Sequence, residues 1–151
     1  LQDRIREIED RREGKQTDSG LKGLNVLAAE DNELNAEILR EVLGMFGAEC
    51  TLCENGQQAV ERFAASQAGE YDLILMDIQM PVMDGYEATR AIRAGIHPDA
   101  KTIPIVAMTA NAFSEDVQKS IDAGMNAHIS KPVDAYSLNK MIGDLMQSLK
   151  R

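Results

Sequence analysis

Leu73-Ile74-Leu75-Met76-Asp77-Ile78-Gln79-Met80-Pro81-Val82-Met83-Asp84-Gly85 is the stretch around which the rest of the chain is arranged. Its opening residues form an apolar run without alternation, which predicts a strand buried on both faces. The run ends at one carboxylate, Asp77, and is followed by Pro81 and the turn pair Asp84-Gly85. Asp77 is therefore expected at the carboxyl end of a central strand. Ligands of open parallel α/β sheets bind at that rim, so an ionisable group there is a site candidate. A lone Asp at a strand end is more often a cap or a solvent-facing residue, and only its company can change that reading.

The flanking sequence supplies the company. Upstream, Leu24 to Ala29 is a short buried strand ending at Glu30-Asp31-Asn32. Leu34, Ile38, Leu39, Val42, Leu43 and Phe46 follow at helical spacing, with Gly47 placed to end the helix. Ala48 to Cys53 reads as a second strand, and Asn55-Gly56 as the turn into a helix carrying Ala59, Val60 and Phe63. The strand that ends at Asp77 begins near Tyr71, and Asp84 is placed to start a helix from about Tyr86 to Ala94, closed by Gly95. Downstream, Ile103 to Met108 is a fourth strand, ending at Thr109-Ala110-Asn111. Ser114, with Glu115 and Asp116 behind it, is a good helix cap; that helix carries Val117 and Ile121 and stops at Gly124. Ala127 to Ser130 is a short fifth strand ending at Lys131-Pro132, and a last helix is expected to bury Leu138, Met141, Ile142, Leu145 and Leu149. Five such units predict a doubly wound α/β fold, a parallel sheet with helices on both faces and every strand buried twice. The alternation leaves strand order open.

Composition narrows the class. With 151 residues there is room for one domain and a short appendage. A net charge of -9, without a basic stripe, argues against a nucleic-acid surface. No apolar run is long enough to span a bilayer, and the charged N-terminus lacks a secretory core, so a cytoplasmic location is expected. Residues 1–21 differ from the rest: Leu1, Ile5 and Ile8 make one narrow helical stripe, followed by the polar Gly14 to Gly20. They read either as the tail of a preceding helix with a flexible linker or as a disordered leader. Residues 22–151 form the folded domain. Cys50 and Cys53 read as ordinary reduced thiols, because residues three apart on a strand face opposite sides and neither His97 nor His128 is placed to complete a zinc site.

Four strands end in polar groups that are expected to converge on one rim: Glu30-Asp31, Asp77, Thr109 and Lys131. Crowded carboxylates repel by roughly 4 kcal/mol per close pair at an effective dielectric of about 20, so they call for a counter-charge. Oxygen ligands with room for water and a phosphoryl oxygen suit Mg²⁺. Lys131 adds a compact positive charge, Thr109 a hydroxyl, and Ala110 a backbone N–H. A carboxylate nucleophile, a metal, a lysine and a hydroxyl are what phosphoryl transfer to an aspartate requires.

Glu30-Asp31, Met76-Asp77-x-x-Met80-Pro81-x-Met83-Asp84-Gly85, Thr109-Ala110 and Lys131-Pro132 together resemble the motif set of the receiver domain of two-component response regulators, over roughly Lys22 to Lys150. The resemblance implies a flavodoxin-like (βα)5 fold of strand order 2-1-3-4-5. It implies that Asp77 accepts a phosphoryl group from a phosphohistidine of a histidine kinase or a histidine phosphotransfer domain. Asp31, Asp77 and the Gln79 main-chain carbonyl would bind Mg²⁺, with Glu30 acting largely through water. Lys131, next to an expected cis bond to Pro132, would pair with the phosphoryl oxygens, while Thr109 moves to bond them and Ala110 donates its N–H. Two positions depart from the commonest pattern: Glu30 stands where Asp is usual, and His128 stands where a switching Tyr or Phe is usual. His128 reads either as a residue that swings inward, with a pH-dependent coupling, or as a surface histidine on an edge strand.

Three function classes compete. A turnover phosphatase of the haloacid dehalogenase type needs a second acid two residues after the nucleophile, where this chain has Gln79. A receiver-like module that works without phosphorylation usually lacks the acceptor, an acid or the lysine, and all are present here. A phosphoacceptor switch remains, an enzyme only toward its own aspartyl phosphate. A last helix ending at Lys150-Arg151, together with the charged leader, resembles the receiver of a hybrid histidine kinase; a stand-alone single-domain regulator is the alternative. Oligomeric state is left open.

Overall fold

The structure, a computed structural model, describes residues 21–110, 114–131 and 133–149, with only the backbone of 114–116 and 149. Residues 1–20 of the expected leader, Asn111, the capping side chain of Ser114, the Lys131-Pro132 bond and the Leu149 side chain lie outside the described residues, whereas Leu21 is buried in the core. Strands β1 (Asn25–Ala29), β2 (Glu49–Cys53), β3 (Leu73–Asp77), β4 (Ile105–Thr109) and β5 (Ala127–Ser130) alternate with helices α1 (Glu33–Met45), α2 (Gly56–Ala65), α3 (Gly85–Ala94), α4 (Ser114–Ala123) and α5 (Ala135–Leu149). All neighbours pair in parallel, in the order β2-β1-β3-β4-β5. Right-handed crossovers that leave β1 toward β2 and return to β3 on its other side open a crevice at the carboxyl ends of β1 and β3.

Side-chain alternation sorts the core into two layers. Val26, Ala28, Leu73, Leu75, Val106 and Met108 pack with Leu39 and Leu43 of α1 and Leu138 and Ile142 of α5. Leu27, Ala29, Ile74, Met76, Ile105 and Ala107 pack with Ala59 and Phe63 of α2 and Ala88 and Ile92 of α3. Cys50 packs against the first layer and Cys53 lies in the second, so the two thiols point to opposite faces of β2, and both are free. Burial raises both, Cys50 to about 11, so neither is poised as a thiolate nucleophile.

The central strands β3 and β4 are buried at every residue, as expected. The edge strands are not: β2 is buried only at Cys53, and β5 only at Ile129, because each has a neighbour on one side alone. The helices correct the expected core as well. Leu34, Ile38 and Ile121 are exposed, Met141 and Leu145 are half-buried, and Met146 is buried instead. Helix ends follow local chemistry. Gly47, at φ +82°, adopts the left-handed turn that ends α1, and the Ala48 N–H reaches back to the Leu43 carbonyl at 3.0 Å. Gly95 closes α3 without that turn, at φ -75°. Asp134 caps α5 by accepting from the Ser137 N–H at 2.8 Å, and this hydrogen bond and those from nearby backbone hold its carboxyl below the usual range.

Candidate functional site

The register of the sheet assembles the site. Ala29 lies opposite Met76, Asp77 opposite Met108, and Thr109 opposite Ser130, so the residues that end or follow β1, β3, β4 and β5 share one rim. A cleft of about 250 Å³ opens there, and Glu30, Asp31, Asp77, Gln79, Thr109, Ala110 and Lys131 all line it. Every expected site residue but His128 is thus brought together. His128 is half-buried on β5 opposite Ala107, on the sheet face away from Met108 and Ile129.

Capping chemistry frees the acids. Asn32, not Asp31, caps α1, accepting from the Asn35 N–H at 3.0 Å, which leaves the Asp31 carboxylate exposed at the cleft. Asp84 caps α3 by accepting from the Glu87 N–H at 2.8 Å. Thr109 is the last residue of β4 and is buried. Asn32 was not singled out by the sequence; a helix-starting Asn directly after two acids is the signal that could have found it. Its backbone N–H also approaches Glu30 Oε2 at 3.4 Å.

At the floor of the cleft, the Lys131 ammonium stands 2.8 Å from Asp77 Oδ2 and 3.1 Å from Glu30 Oε1. Both carboxylates are almost wholly buried, at 3% side-chain exposure, whereas Lys131 keeps 23%. The Lys131 backbone is fixed by its N–H donating to the Thr109 carbonyl at 2.7 Å. Asp77 Oδ1 accepts from the Gln79 N–H at 3.3 Å, but buried Oδ2 accepts no well-aligned hydrogen bond from the described residues despite the nearby ammonium. Burial, then the proximity of Glu30, pushes the Asp77 carboxyl up to about 7. Burial also works against Glu30, but hydrogen bonds to Asp77 and Lys131 and the lysine charge outweigh it and hold that carboxyl low. Lys131 is raised, since its two anionic partners outweigh its own desolvation.

Carboxylate oxygens of Glu30, Asp31 and Asp77 lie within 4.8 Å of one another. An all-oxygen donor set beside an open cleft fits a hard divalent cation.

The raised Asp77 has a consequence for stability. Its folded value of about 7 lies above the usual 3.8, so the folded state holds this proton more tightly than the unfolded chain. The stabilisation is complete below pH ~4 and disappears as pH rises through about 7. Asp77→Asn should therefore melt like wild type near pH 4 in chelator, and should gain up to about 4 kcal/mol over it at pH 7.5. Thermal melts of both proteins across that range check this; a gap that does not widen with pH would contradict it.

A family model described as the response regulator receiver domain matches residues 26–143. The chain belongs to the receiver-domain family of two-component signalling. It is 41% identical over 128 residues to "Probable histidine kinase 2" of Oryza sativa subsp. indica, covering 78% of this chain and 12% of that protein. It is 37% identical over 125 residues to "Peroxide stress-activated histidine kinase mak1" of Schizosaccharomyces pombe, covering 82% and 8%. The chain thus spans about an eighth or less of these curated relatives. Among solved structures it is similar to the receiver domain of sensor histidine kinase PA1611 from Pseudomonas aeruginosa, a structure with a magnesium ion coordinated in the active-site cleft. That match has a TM-score of 0.73 and 37% identity, and covers 83% of this chain and 98% of that one. It is also similar to the co-crystal structure of the Saccharomyces cerevisiae histidine phosphotransfer protein Ypd1 with the receiver domain of Ssk1, with a TM-score of 0.71 and 31% identity, covering 85% and 92%. Strand order 2-1-3-4-5 is therefore the order of the family. Among the described residues no helix is long and apolar enough to cross a membrane.

Proposed function

We propose that Asp77 is the phosphoacceptor of a phosphorelay, taking its phosphoryl group from the phosphohistidine of a histidine kinase or histidine phosphotransfer domain. The observation that carries this reading is the Lys131 ammonium held against both Asp77 and Glu30 in an oxygen-lined cleft. A carboxylate oxygen of Asp77 forms the new P–O bond as the P–N bond to the donor imidazole breaks and its electron pair returns to nitrogen. Lys131 turns from the carboxylates to the phosphoryl oxygens, and the Thr109 hydroxyl and Ala110 N–H donate to the same group. Glu30, Asp31, Asp77 and the Gln79 carbonyl would hold Mg²⁺, which when bound neutralises charge on the transferring group. The added charge then draws Thr109 and the segment after it inward, shifting the face made by α4, β5 and α5, with His128 as a candidate participant.

Two features of context belong to the same proposal: residues 22–151 act as the receiver unit with 1–21 as a linker, and the unit works on the cytoplasmic side. Histidine-kinase relatives favour a hybrid kinase over a stand-alone regulator as the parent. Incubation with Mg²⁺ and acetyl phosphate should add one phosphate to the intact mass, and Asp77→Asn should take none. In the labelled sample, amide exchange across α4 should change. No mass shift with excess donor would rule out the acceptor role, and unaltered exchange would rule out the surface switch.

A further inference from the structure

Arg93, on the last turn of α3, pairs with no carboxylate among the described residues. Its guanidinium bonds neutral acceptors instead. Nε and Nη2 donate to the Gly124 carbonyl at 3.0 and 2.8 Å, Nη2 also to Asn126 Oδ1 at 2.9 Å, and Nη1 to the Ala100 carbonyl at 3.1 Å. A planar fork can reach three acceptors on two loops at once, which the point charge of a lysine cannot copy. Gly124 and Asn126 lie just past the end of α4, where unpaired carbonyls carry the negative end of the helix dipole, so α4 itself supplies the counter-charge.

The supports on both sides of this link are fixed. α3 is tied to the end of β3 through the Gly85 N–H and buries Ala88 and Ile92, and the Lys101 ammonium donates to the Arg93 carbonyl at 2.8 Å. Beyond α4, the Met125 N–H returns to the Ser120 carbonyl at 2.9 Å, and Gly124 takes a left-handed φ of 108°. Asn126 is joined to β4 twice: its N–H donates to the Ile105 carbonyl, and its Oδ1 accepts from the Ile105 N–H, both at 2.8 Å. The other end of α4, at Ser114, follows Thr109 in the chain, and Thr109 is the group that the phosphoryl charge would draw inward.

We propose that Arg93 makes Gly124 the pivot of the switch. α4 swings about its carboxyl end: its first turns follow Thr109, while its last turn and the loop into β5 stay bolted to α3. The change of surface is thereby confined to the part of α4 nearest Asp77. This rests on the acceptor and switch roles proposed above; Arg93 is a positioning residue and takes no part in the transfer itself.

Amide exchange read residue by residue by NMR, without and with excess acetyl phosphate and Mg²⁺, tests the pivot in wild type, Arg93→Met and Arg93→Lys, while intact mass confirms that each is labelled. In wild type, the change on phosphorylation should be largest at 117–120 and absent at 124–126. In Arg93→Met it should spread through 124–126, altering exchange there by about tenfold. Arg93→Lys keeps the charge without the fork and should behave like Arg93→Met. Each variant is compared with its own unlabelled form, so a stability loss common to both states drops out. A wild-type change as large at 124–126 as at 117–120 would overturn the pivot however the variants fold. So would a response that stays confined to the first turns in either variant. A wild type that takes no phosphate removes the acceptor role, and a labelled wild type with no change anywhere in α4 removes the switch; either result removes the pivot too.

Discussion

Lys131→Met should slow acetyl phosphate labelling of Asp77 by about 10²-fold or more while leaving Mg²⁺ binding intact or tighter. In the resting cleft, Lys131 is the counter-charge for two buried carboxylates, at 2.8 and 3.1 Å. Its removal leaves Glu30 and Asp77 facing each other, which raises the protonated fraction of the nucleophile further, and leaves the new phosphoryl group without its cationic partner. A divalent cation competes with that ammonium for the same oxygens, so a lysine-free cleft should bind it no worse. Methionine keeps the length and apolar stem of the side chain, which limits loss of packing. Rates from intact-mass time courses, set beside a Mg²⁺ titration, separate the two effects. A parallel loss of metal binding and labelling would mean that Lys131 chiefly holds the cleft in shape.

The placement of the candidate site was legible because its residues end or closely follow strands, and strand ends are marked by changes in local composition. Leu73 to Met76 could be read as a doubly buried strand, and Asp77 stands at its end as expected. The bridge from Lys131 to both Glu30 and Asp77 could not be read, because it depends on strand order and register, which alternation leaves open. The same reason explains the misjudged helix faces. A 3.6-residue period places Leu34 and Ile38 on a stripe with Leu39 and Leu43, but only the packing of α1 on the sheet decides which edge of the stripe meets the core. β2 was expected to be buried twice and is not, since an edge position is a property of topology rather than of Glu49 to Cys53. Val82, at φ 69°, was opaque for a different reason: valine favours negative φ, and its turn is imposed by the contacts of Gly56 and Gly85.

Gly85→Ala should disrupt both the acceptor and the fold. A Cβ on Gly85 would stand 2.4 Å from the Asp77 carbonyl oxygen and 2.9 Å from Ile78 Cα, and both are backbone atoms that no rotamer change can move aside. The Gly85 N–H is also bonded to the Ile78 carbonyl at 2.9 Å, so retreat of α3 breaks the link that ties it to the end of β3. Overpacking of this kind costs about 1–3 kcal/mol or more, and a displacement of about 1 Å at the nucleophile costs labelling on the order of 10²-fold. Gly44 supplies the contrast within the same molecule. It lies inside α1, where an added methyl would meet nothing within 4 Å, so Gly44→Ala should gain about 0.5–1 kcal/mol from helix propensity alone. Melting temperatures and acetyl phosphate labelling of the two variants test the argument together. If Gly85→Ala melts and labels like wild type, the close approach of α3 to β3 does not position Asp77, and the acceptor is held by the cleft residues alone.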